Sequence, residues 1–245
     1  MIRLILIALF LIVYFIFSIP MFLIEIIIGW INKDAKVKSS QWIVCQLGFK
    51  PILFISGVHL TVRGLENIPA DTPVLYVGNH RSYFDIIIGY TLAKNNTGFI
   101  AKKEMEKLPF ISVWMKFINC QFLDRDDIKE GLKMVLRCID LIKAGTSIWI
   151  FPEGTRTPGN DMLPFKEGSF KIAEKTGCPI IPVSINNTEN IFENHIPWVK
   201  SSRVIFEFGK PVDVKNMSRE ERKHLGAHIQ GIIKETVEKN SRKLM

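Results

Sequence analysis

A histidine and an aspartate stand five positions apart in the polar segment at residues 79–85. An apolar run at residues 74–77 precedes this segment and a helix-like run at residues 86–93 follows it, which predicts a loop between a strand and a helix. Such a loop can fold the carboxylate of Asp85 back onto the imidazole of His80. A carboxylate in that position fixes the tautomer of the ring and stabilises the imidazolium that forms when the other nitrogen removes a proton. The pair is a candidate general base, and a loop histidine beside a helix-capping aspartate is the alternative interpretation.

A second polar segment, F-P-E-G-T-R-T at residues 151–157, leaves an apolar strand-like run and contains a sharp turn. The turn presents polar groups at the same kind of sheet edge as His80, namely Glu153, Gly154, Thr155 and Arg156. A guanidinium makes bidentate contacts with phosphate, and a glycine turn lets backbone N–H groups approach the anion. Arg156 is therefore a candidate phosphate ligand, and a surface turn with an incidental arginine is the alternative.

A third segment, L-D-R-D at residues 123–126, follows another strand-like run. It supplies a further arginine, Arg125, at what should be the same edge of the sheet. A phosphate contact by this guanidinium and a structural ion pair with a neighbouring aspartate are equally open interpretations.

Short β-rich runs alternate with helical patterns over most of the chain. The strand-like runs cover residues 59–63, 74–77, 99–101, 121–123, 147–151, 180–185 and 203–208, and helical spacing covers residues 86–93, 128–143 and 170–175. This alternation predicts an α/β domain with a mostly parallel sheet flanked by helices, in which ligands bind where strands end and loops begin. Ser218 and Glu221 have the spacing of a capping box and predict a last helix that ends near Lys239.

The net charge of +8 falls on residues 32–245, because residues 1–31 contain one arginine and one glutamate. A basic domain that follows an apolar N-terminal segment favours binding to an anionic surface or to an anionic substrate. Nucleic acid is not the expected partner, since no helix-turn-helix, zinc-finger, RNA-binding or arginine-rich signature is present. The cysteines lack a C-x-x-C pair and metal-ligand spacing, so we expect no metal site and reduced, buried thiols at Cys45, Cys120, Cys138 and Cys178.

The apolar start has no charged residue between residues 4 and 24, and a helix of that length spans roughly 30 Å of bilayer hydrocarbon. It is too long for a signal peptide and offers no good cleavage site, so we expect the mature protein to retain it. Pro20 and Glu25 interrupt the run, and a second apolar stretch follows at residues 42–60. A single membrane span and a two-helix hairpin inserted into one leaflet are both compatible with this pattern.

The sequence therefore predicts membrane-anchoring helices in residues 1–58 and a globular α/β domain in residues 59–245. The charges that flank the first apolar run slightly favour a cytoplasmic globular domain, because Arg3 precedes the run and three lysines follow it, Lys33, Lys36 and Lys38.

The polar segments together resemble the glycerolipid acyltransferase family, and within it the 1-acylglycerol-3-phosphate acyltransferases. The four blocks of that family are matched in order by N-H-x-x-x-x-D at residues 79–85, a block ending in Asp-Arg at residues 122–125, F-P-E-G-T-R at residues 151–156 and an apolar-proline block at residues 180–183. The resemblance covers roughly residues 60–210. The chain departs from the family at Cys120, where many members have glycine at the start of the second block.

The resemblance implies a role for each matched residue. His80 would act as the base and Asp85 would orient it, while the substrate phosphate would bind to Glu153, Gly154, Thr155, Arg156 and Arg125, and also to Lys102. The substrate hydroxyl would attack an acyl thioester directly. No acyl-enzyme is expected, because the chain has no G-x-S-x-G segment and no cysteine within residues 80–85.

The resemblance also implies partners and a location. The expected acceptor is 1-acylglycerol 3-phosphate, the expected donor is acyl carrier protein or coenzyme A loaded with an acyl chain, and no cofactor or metal is expected. We expect an enzyme of the bacterial inner membrane whose catalytic domain faces the cytoplasm. Glycerol 3-phosphate or another lysophospholipid is the alternative acceptor, and a phosphohydrolase or a lipid-phosphate binding protein is the alternative from another class.

Overall fold

The computed structural model describes residues 1–124, 127–157 and 161–244. Within these residues the strands are β1 (Val58–Arg63), β2 (Leu75–Gly78), β3 (Thr97–Lys102), β4 (Gln121–Leu123), β5 (Ser147–Ile150), β6 (Ile180–Asn186) and β7 (Ser202–Phe208). They form one sheet in the order β1-β7-β6-β2-β5-β3-β4. All seven strand-like runs of the sequence are thus found as strands.

The described helices are α1 (Ile2–Ile31), α2 (Lys33–Ile43), α3 (Lys50–Ser56), α4 (Phe84–Leu92), α5 (Ile111–Phe117), α6 (Ile128–Lys143), α7 (Lys171–Thr176), α8 (Arg219–Lys223) and α9 (Leu225–Ser241). A π-helical segment (Val44–Phe49) joins α2 to α3. Short 3₁₀ turns cover Leu65–Asn67, Lys103–Lys107, Glu167–Phe170, Thr188–Asn190 and Glu193–His195. The helical patterns at residues 86–93, 128–143 and 170–175 correspond to α4, α6 and α7.

The C-terminal helix differs from the prediction, because it is broken at His224 into α8 and α9. The capping box at Ser218 and Glu221 is present and begins α8. A second cap comes from outside the helix: the carboxylate of Glu167 accepts the N–H groups of Gly226 (2.9 Å) and Ala227 (3.3 Å) at the start of α9. This distant cap gives α9 its own starting point, and no local pattern in the sequence marks it.

Most strands of the sheet run in one direction. β2 pairs in parallel with β5 and β6, and β3 pairs in parallel with β5 and β4. β7 is antiparallel to β6 and parallel to β1. The carboxyl ends of β2, β3, β4, β5 and β6 therefore meet at one edge of the sheet. This confirms the α/β architecture with a mostly parallel sheet and collects the loops that carry the polar segments.

Two apolar cores cover the faces of the sheet. One core packs α4 and α5 onto the sheet through Ile88 and Trp114, and the other packs α6 and α9 through Cys138 and Ile233. β2, β5 and β6 are buried along their whole length, as expected for strands covered on both faces. The strands are therefore fixed supports for the loops at their ends.

The N-terminal helices pack against the domain along one side only. The indole N–H of Trp114 donates to Ser18 of α1 (3.0 Å), and Glu25 of α1 accepts from the hydroxyls of Ser39 (2.8 Å) and Ser40 (2.9 Å) of α2. α1 continues through Pro20. Its other side exposes large apolar residues, including Ile5, Leu9, Ile12, Val13, Ile16, Phe17, Leu23, Ile24 and Ile27.

By length and composition, α1 is able to cross a membrane. α1 is not a core helix, because only two of its 30 residues are buried, Ser18 and Glu25. The division of the chain between residues 58 and 59, and the choice between a span and a hairpin in one leaflet, stay predictions.

Gly64 provides a test of how closely the outer strands pack. Its φ angle is +67°, and a Cβ atom there would overlap the carbonyl oxygen of Phe208 in β7. We expect Gly64→Ala to lower the free energy of unfolding by about 3 kcal/mol, since left-handed strain and the backbone clash add. Urea unfolding in mild detergent, followed by tryptophan fluorescence, measures the change.

The matched control is Gly231→Ala inside α9, where a Cβ atom meets open space. This variant should be up to about 1 kcal/mol more stable than the wild type, because alanine favours helix. A Gly64→Ala protein as stable as the wild type would contradict the close approach of Gly64 to the backbone of Phe208.

Candidate active site

The carboxylate of Asp85, in the first turn of α4, is fully buried and accepts four hydrogen bonds. Its Oδ2 atom accepts from the ring Nδ1 of His80 (2.8 Å) and from the backbone N–H groups of Arg81 (2.7 Å) and Ser82 (2.8 Å). Its Oδ1 atom accepts from the hydroxyl of Thr188 (2.5 Å). The loop thus folds back as the sequence predicts, and the carboxylate is held from the loop itself and from the segment after β6.

The imidazole of His80 is fixed on a second side by an aromatic ring. It stacks on Phe151 with 4.1 Å between ring centroids and 12° between the planes. An ionised carboxylate can only accept a hydrogen bond, so the contact with Asp85 places the proton of a neutral ring on Nδ1. Nε2 is then the nitrogen with the free lone pair, and the side chain keeps 12% of its surface exposed. This is the arrangement that a general base requires.

Glu153 joins the loop after β5 to the loop after β2. Its buried carboxylate accepts from the backbone N–H of His80 (2.7 Å), from the hydroxyl of Thr157 and from the backbone N–H of Leu163 (3.0 Å). The N–H of Thr157 in turn donates to the carbonyl oxygen of His80 (2.9 Å). The resemblance implies that Glu153 binds phosphate, whereas both of its carboxylate oxygens here accept from protein donors and support the histidine.

Arg156 lies against the start of α4. Its guanidinium carbon is 3.8 Å from the centre of the Tyr83 ring, and Nη2 donates to the Tyr83 hydroxyl (3.1 Å). Nη1 donates to the carboxylate of Glu193 (3.0 Å). The side chain is 35% exposed, so it is anchored and still open to solvent. The structure thus brings Arg156 to the His80 loop, as the sequence predicts.

The turn before Arg156 matches the expected glycine conformation. Gly154 has a φ angle of +77°, and its N–H donates to the carbonyl oxygen of Phe151 (3.0 Å). The Nζ atom of Lys166 lies 3.0 Å from the point where a Cβ atom on this glycine would be, and Thr155 is exposed. The open side of the turn therefore faces a cation and solvent, which suits the approach of an anion.

Lys102 and Arg125 are the remaining predicted phosphate ligands. Lys102 ends β3, which is two strands away from β2, and it forms an exposed ion pair with Glu104 (2.7 Å). It shares the sheet edge with the site without contacting the His80 loop through any bond found among the described residues. Arg125 lies outside the residues that the structure describes, and its role stays a prediction.

The buried Asn79 joins the loop that carries His80 to β6. Its side-chain amide donates to the carbonyl oxygen of Ile185 (2.9 Å), and its side-chain oxygen accepts the N–H of the same residue (2.9 Å). Gly78 pairs with Val183, which belongs to the apolar-proline block at residues 180–183. That block therefore acts as a structural neighbour of the His80 loop.

The sequence interpretation missed the segment after β6, which supplies three polar side chains to the His80 loop. Besides the bond from Thr188 to Asp85, Glu189 pairs with Arg81 (2.9 Å), and Glu193 binds Ser82 and Arg156. The available signal was positional. β6 is parallel to β2, so residues just after β6 had to emerge at the same edge as His80.

The cysteine thiols are unsuited to nucleophilic catalysis. All four are free and buried. Burial raises the pKa of Cys45 to about 12, of Cys120 to about 11 and of Cys138 to about 12, and it also raises the pKa of Cys178. Near neutral pH these thiols stay protonated, and the thiolate is the nucleophilic form of cysteine. The site therefore offers a candidate histidine base and a guanidinium, and no activated thiol.

The chain is similar to proteins of one family. A family model described as Acyltransferase matches residues 59–186. A 1-acyl-sn-glycerol-3-phosphate acyltransferase from Borreliella burgdorferi is 33% identical over 199 residues, which cover 81% of this chain and 79% of that protein. A chloroplastic 1-acyl-sn-glycerol-3-phosphate acyltransferase from Brassica napus is 39% identical over 131 residues, which cover 53% of this chain and 38% of that protein.

A solved structure shares the whole fold. The crystal structure of the 1-acyl-sn-glycerophosphate (LPA) acyltransferase PlsC from Thermotoga maritima superposes with a TM-score of 0.81 at 28% sequence identity, covering 98% of this chain and 95% of that chain. The match includes the N-terminal helices as well as the sheet.

Removal of the Glu153 carboxylate should destabilise the fold. Glu153→Ala leaves the N–H groups of His80 and Leu163 and the hydroxyl of Thr157 without their acceptor, and each such loss costs about 1–3 kcal/mol. We expect the free energy of unfolding to fall by about 3 kcal/mol, measured by urea unfolding. Glu104→Ala is the matched control, because it removes a carboxylate from an exposed ion pair, and it should leave the unfolding midpoint nearly unchanged. Equal midpoints for the two variants would contradict the supporting role of Glu153.

Proposed function

The chain belongs to the acyltransferase family, and from this premise we propose that it transfers an acyl group from a thioester to the sn-2 hydroxyl of 1-acylglycerol 3-phosphate, giving phosphatidic acid. The relatives in Borreliella and Brassica are named for this acceptor. The observation that carries the proposal is the His80 and Asp85 pair, which hydrogen bonds connect through Ser82 and Glu193 to Arg156. A base and a phosphate ligand side by side suit an acceptor that carries a hydroxyl and a phosphate on one glycerol.

In the proposed reaction His80 acts as the general base. Nε2 takes the proton of the acceptor hydroxyl while the hydroxyl oxygen attacks the thioester carbonyl, and Asp85 stabilises the imidazolium that results. The new C–O bond then replaces the C–S bond, and the imidazolium returns its proton to the departing thiolate. The high pKa of the buried thiols supports this direct transfer, since no cysteine of the chain competes as a nucleophile.

Arg156 is the proposed anchor for the acceptor phosphate. Two of the five guanidinium N–H groups donate to Glu193 and Tyr83, and the others donate to no residue that the structure describes. The backbone N–H of Thr155 is proposed to assist, with Gly154 shaping the turn through its φ angle of +77°. Lys102 and Arg125 are proposed to approach the phosphate from the same edge. Glu153 is better supported as a positioning residue, because protein donors already occupy its carboxylate.

The proposal places the enzyme at a membrane. A lysophospholipid and its diacyl product reside in the bilayer, and the exposed apolar side of α1 suits an anchor there. We propose the cytoplasmic side of a bacterial inner membrane. Acyl carrier protein or acyl coenzyme A would donate the chain, and the charge of +8 suits either acidic donor.

Acyl transfer by the purified protein tests this function. With a radiolabelled acyl thioester and 1-acylglycerol 3-phosphate, the wild type should form labelled phosphatidic acid. His80→Ala should lower kcat by about 10²- to 10⁴-fold, because base catalysis is lost. His228→Ala is the matched control, since this histidine is exposed on α9, and it should keep full activity. Full activity of His80→Ala would refute the mechanism, and transfer to glycerol 3-phosphate or lysophosphatidylcholine alone would refute the acceptor.

Arg156 should act on substrate binding more than on the chemical step. Arg156→Ala should raise the KM for 1-acylglycerol 3-phosphate at least roughly tenfold, because a hydrogen bond to a charged group contributes about 1.5–3 kcal/mol. Arg219→Ala removes an equal charge from an exposed position on α8 and should leave this KM unchanged. Initial rates over a range of acceptor concentrations measure both, and an unchanged KM in Arg156→Ala would rule out the proposed phosphate contact.

A further inference from the structure

Glu193 lies beyond the four sequence blocks and contacts the loops that hold the base and the guanidinium. Its Oε1 atom accepts from Nη1 of Arg156 (3.0 Å) and from the backbone N–H of Tyr83 (2.9 Å). Its Oε2 atom accepts from the hydroxyl of Ser82 (2.7 Å). One carboxylate thus joins the F-P-E-G-T-R loop to the segment between His80 and Asp85.

The segment that carries Glu193 is itself fastened to the catalytic pair. It begins just after β6, where Thr188 donates to Asp85 and Glu189 pairs with Arg81. Ile191 is fully buried, and its carbonyl oxygen accepts the N–H of Lys200 (2.9 Å). These contacts therefore fix the position of Glu193 relative to the carboxylate of Asp85, which orients His80.

These contacts restrict the guanidinium of Arg156 in two directions. Glu193 holds Nη1, while the ring of Tyr83 lies under the guanidinium plane and its hydroxyl accepts from Nη2. A free arginine side chain loses considerable rotamer entropy when it is ordered on a ligand. Ordering before the substrate arrives removes this cost from binding, and it also fixes how far the guanidinium lies from the imidazole.

We infer that Glu193 is a positioning residue that sets the distance between the phosphate-binding Arg156 and the base His80, and so selects acceptors whose phosphate and hydroxyl match that distance. This inference rests on the proposed function. Glu193 touches neither the reacting hydroxyl nor the thioester, and it acts through Arg156. Its loss should therefore weaken the use of phosphate-bearing acceptors more than the use of acceptors without phosphate.

The test compares two acceptors, 1-acylglycerol 3-phosphate and 1-acylglycerol without phosphate, in four proteins: wild type, Glu193→Ala, Arg156→Ala and the double variant. Glu193→Ala should raise the KM for the phosphate acceptor roughly tenfold, and the loss in kcat/KM for 1-acylglycerol should be clearly smaller, because that acceptor offers no phosphate to Arg156. In the Arg156→Ala background the same substitution should add less than about a twofold change, because the residue through which it acts is absent.

Two further variants separate positioning from folding. Glu193→Gln keeps an oxygen that can accept from Arg156 and should restore most of the KM lost in Glu193→Ala. Glu238→Ala removes an exposed carboxylate from α9 and should behave as the wild type. If Glu193→Ala fails to fold, Glu193→Gln combined with Tyr83→Phe still loosens Arg156 and should raise the same KM.

Three results would overturn the inference. A lower KM in Glu193→Ala would mean that the carboxylate competes with phosphate for the arginine. Equal losses with the two acceptors would indicate a general structural role, and a full additional loss in the Arg156→Ala background would show that the two residues act independently. Failure of the proposed function gives a different result, since the wild type itself would then acylate neither acceptor.

Discussion

The carboxylate of Asp85 is the centre on which the site depends. It is fully buried, and a buried carboxylate is strongly unfavourable unless hydrogen bonds replace its lost hydration. Here the replacement comes from two backbone N–H groups, the Thr188 hydroxyl and the ring of His80. The start of α4 adds the favourable end of a helix dipole. The interaction that orients the imidazole of His80 is thus also one that the fold needs, because a relaxed loop would leave the buried carboxylate without its hydrogen bonds.

The parallel sheet brings the separate parts of the site to one edge. β2 leads to His80, β5 leads to Glu153 and Arg156, and β6 leads to Thr188 and Glu193. These three strands are neighbours in the sheet and are buried along their length. Glu153 then joins the first two loops, while Asn79 and Glu193 connect the third. Rigid strands and short polar connections give the imidazole of His80 and the guanidinium of Arg156 a fixed separation, which the proposed direct transfer between two bound substrates requires.

The local features of the sequence predicted the strands, the loop between His80 and Asp85 and the placement of Arg156. These features depend on short-range patterns of apolar and polar residues, which a sequence displays directly. Long-range partners were harder to predict. Four of the contacts described above join residues that are far apart in sequence. They are the bond from the His80 N–H to Glu153, the cap from Glu167 that begins α9, and the bonds of Thr188 to Asp85 and of Arg156 to Glu193. Only the three-dimensional arrangement of the strands shows which side chains face one another.

The tautomer of His80 tests the central claim most directly. Two-bond proton–nitrogen correlation spectra of protein labelled with ¹⁵N-histidine report which ring nitrogen carries the proton, and the His80→Ala spectrum identifies the His80 signals. The account predicts that the neutral form of the ring carries its proton on Nδ1 and leaves Nε2 unprotonated, because the carboxylate of Asp85 accepts from Nδ1. In Asp85→Asn this preference should weaken or reverse. A wild-type ring that carries its proton on Nε2 would contradict the account, since Nε2 would then have no lone pair to take a proton from the acceptor hydroxyl.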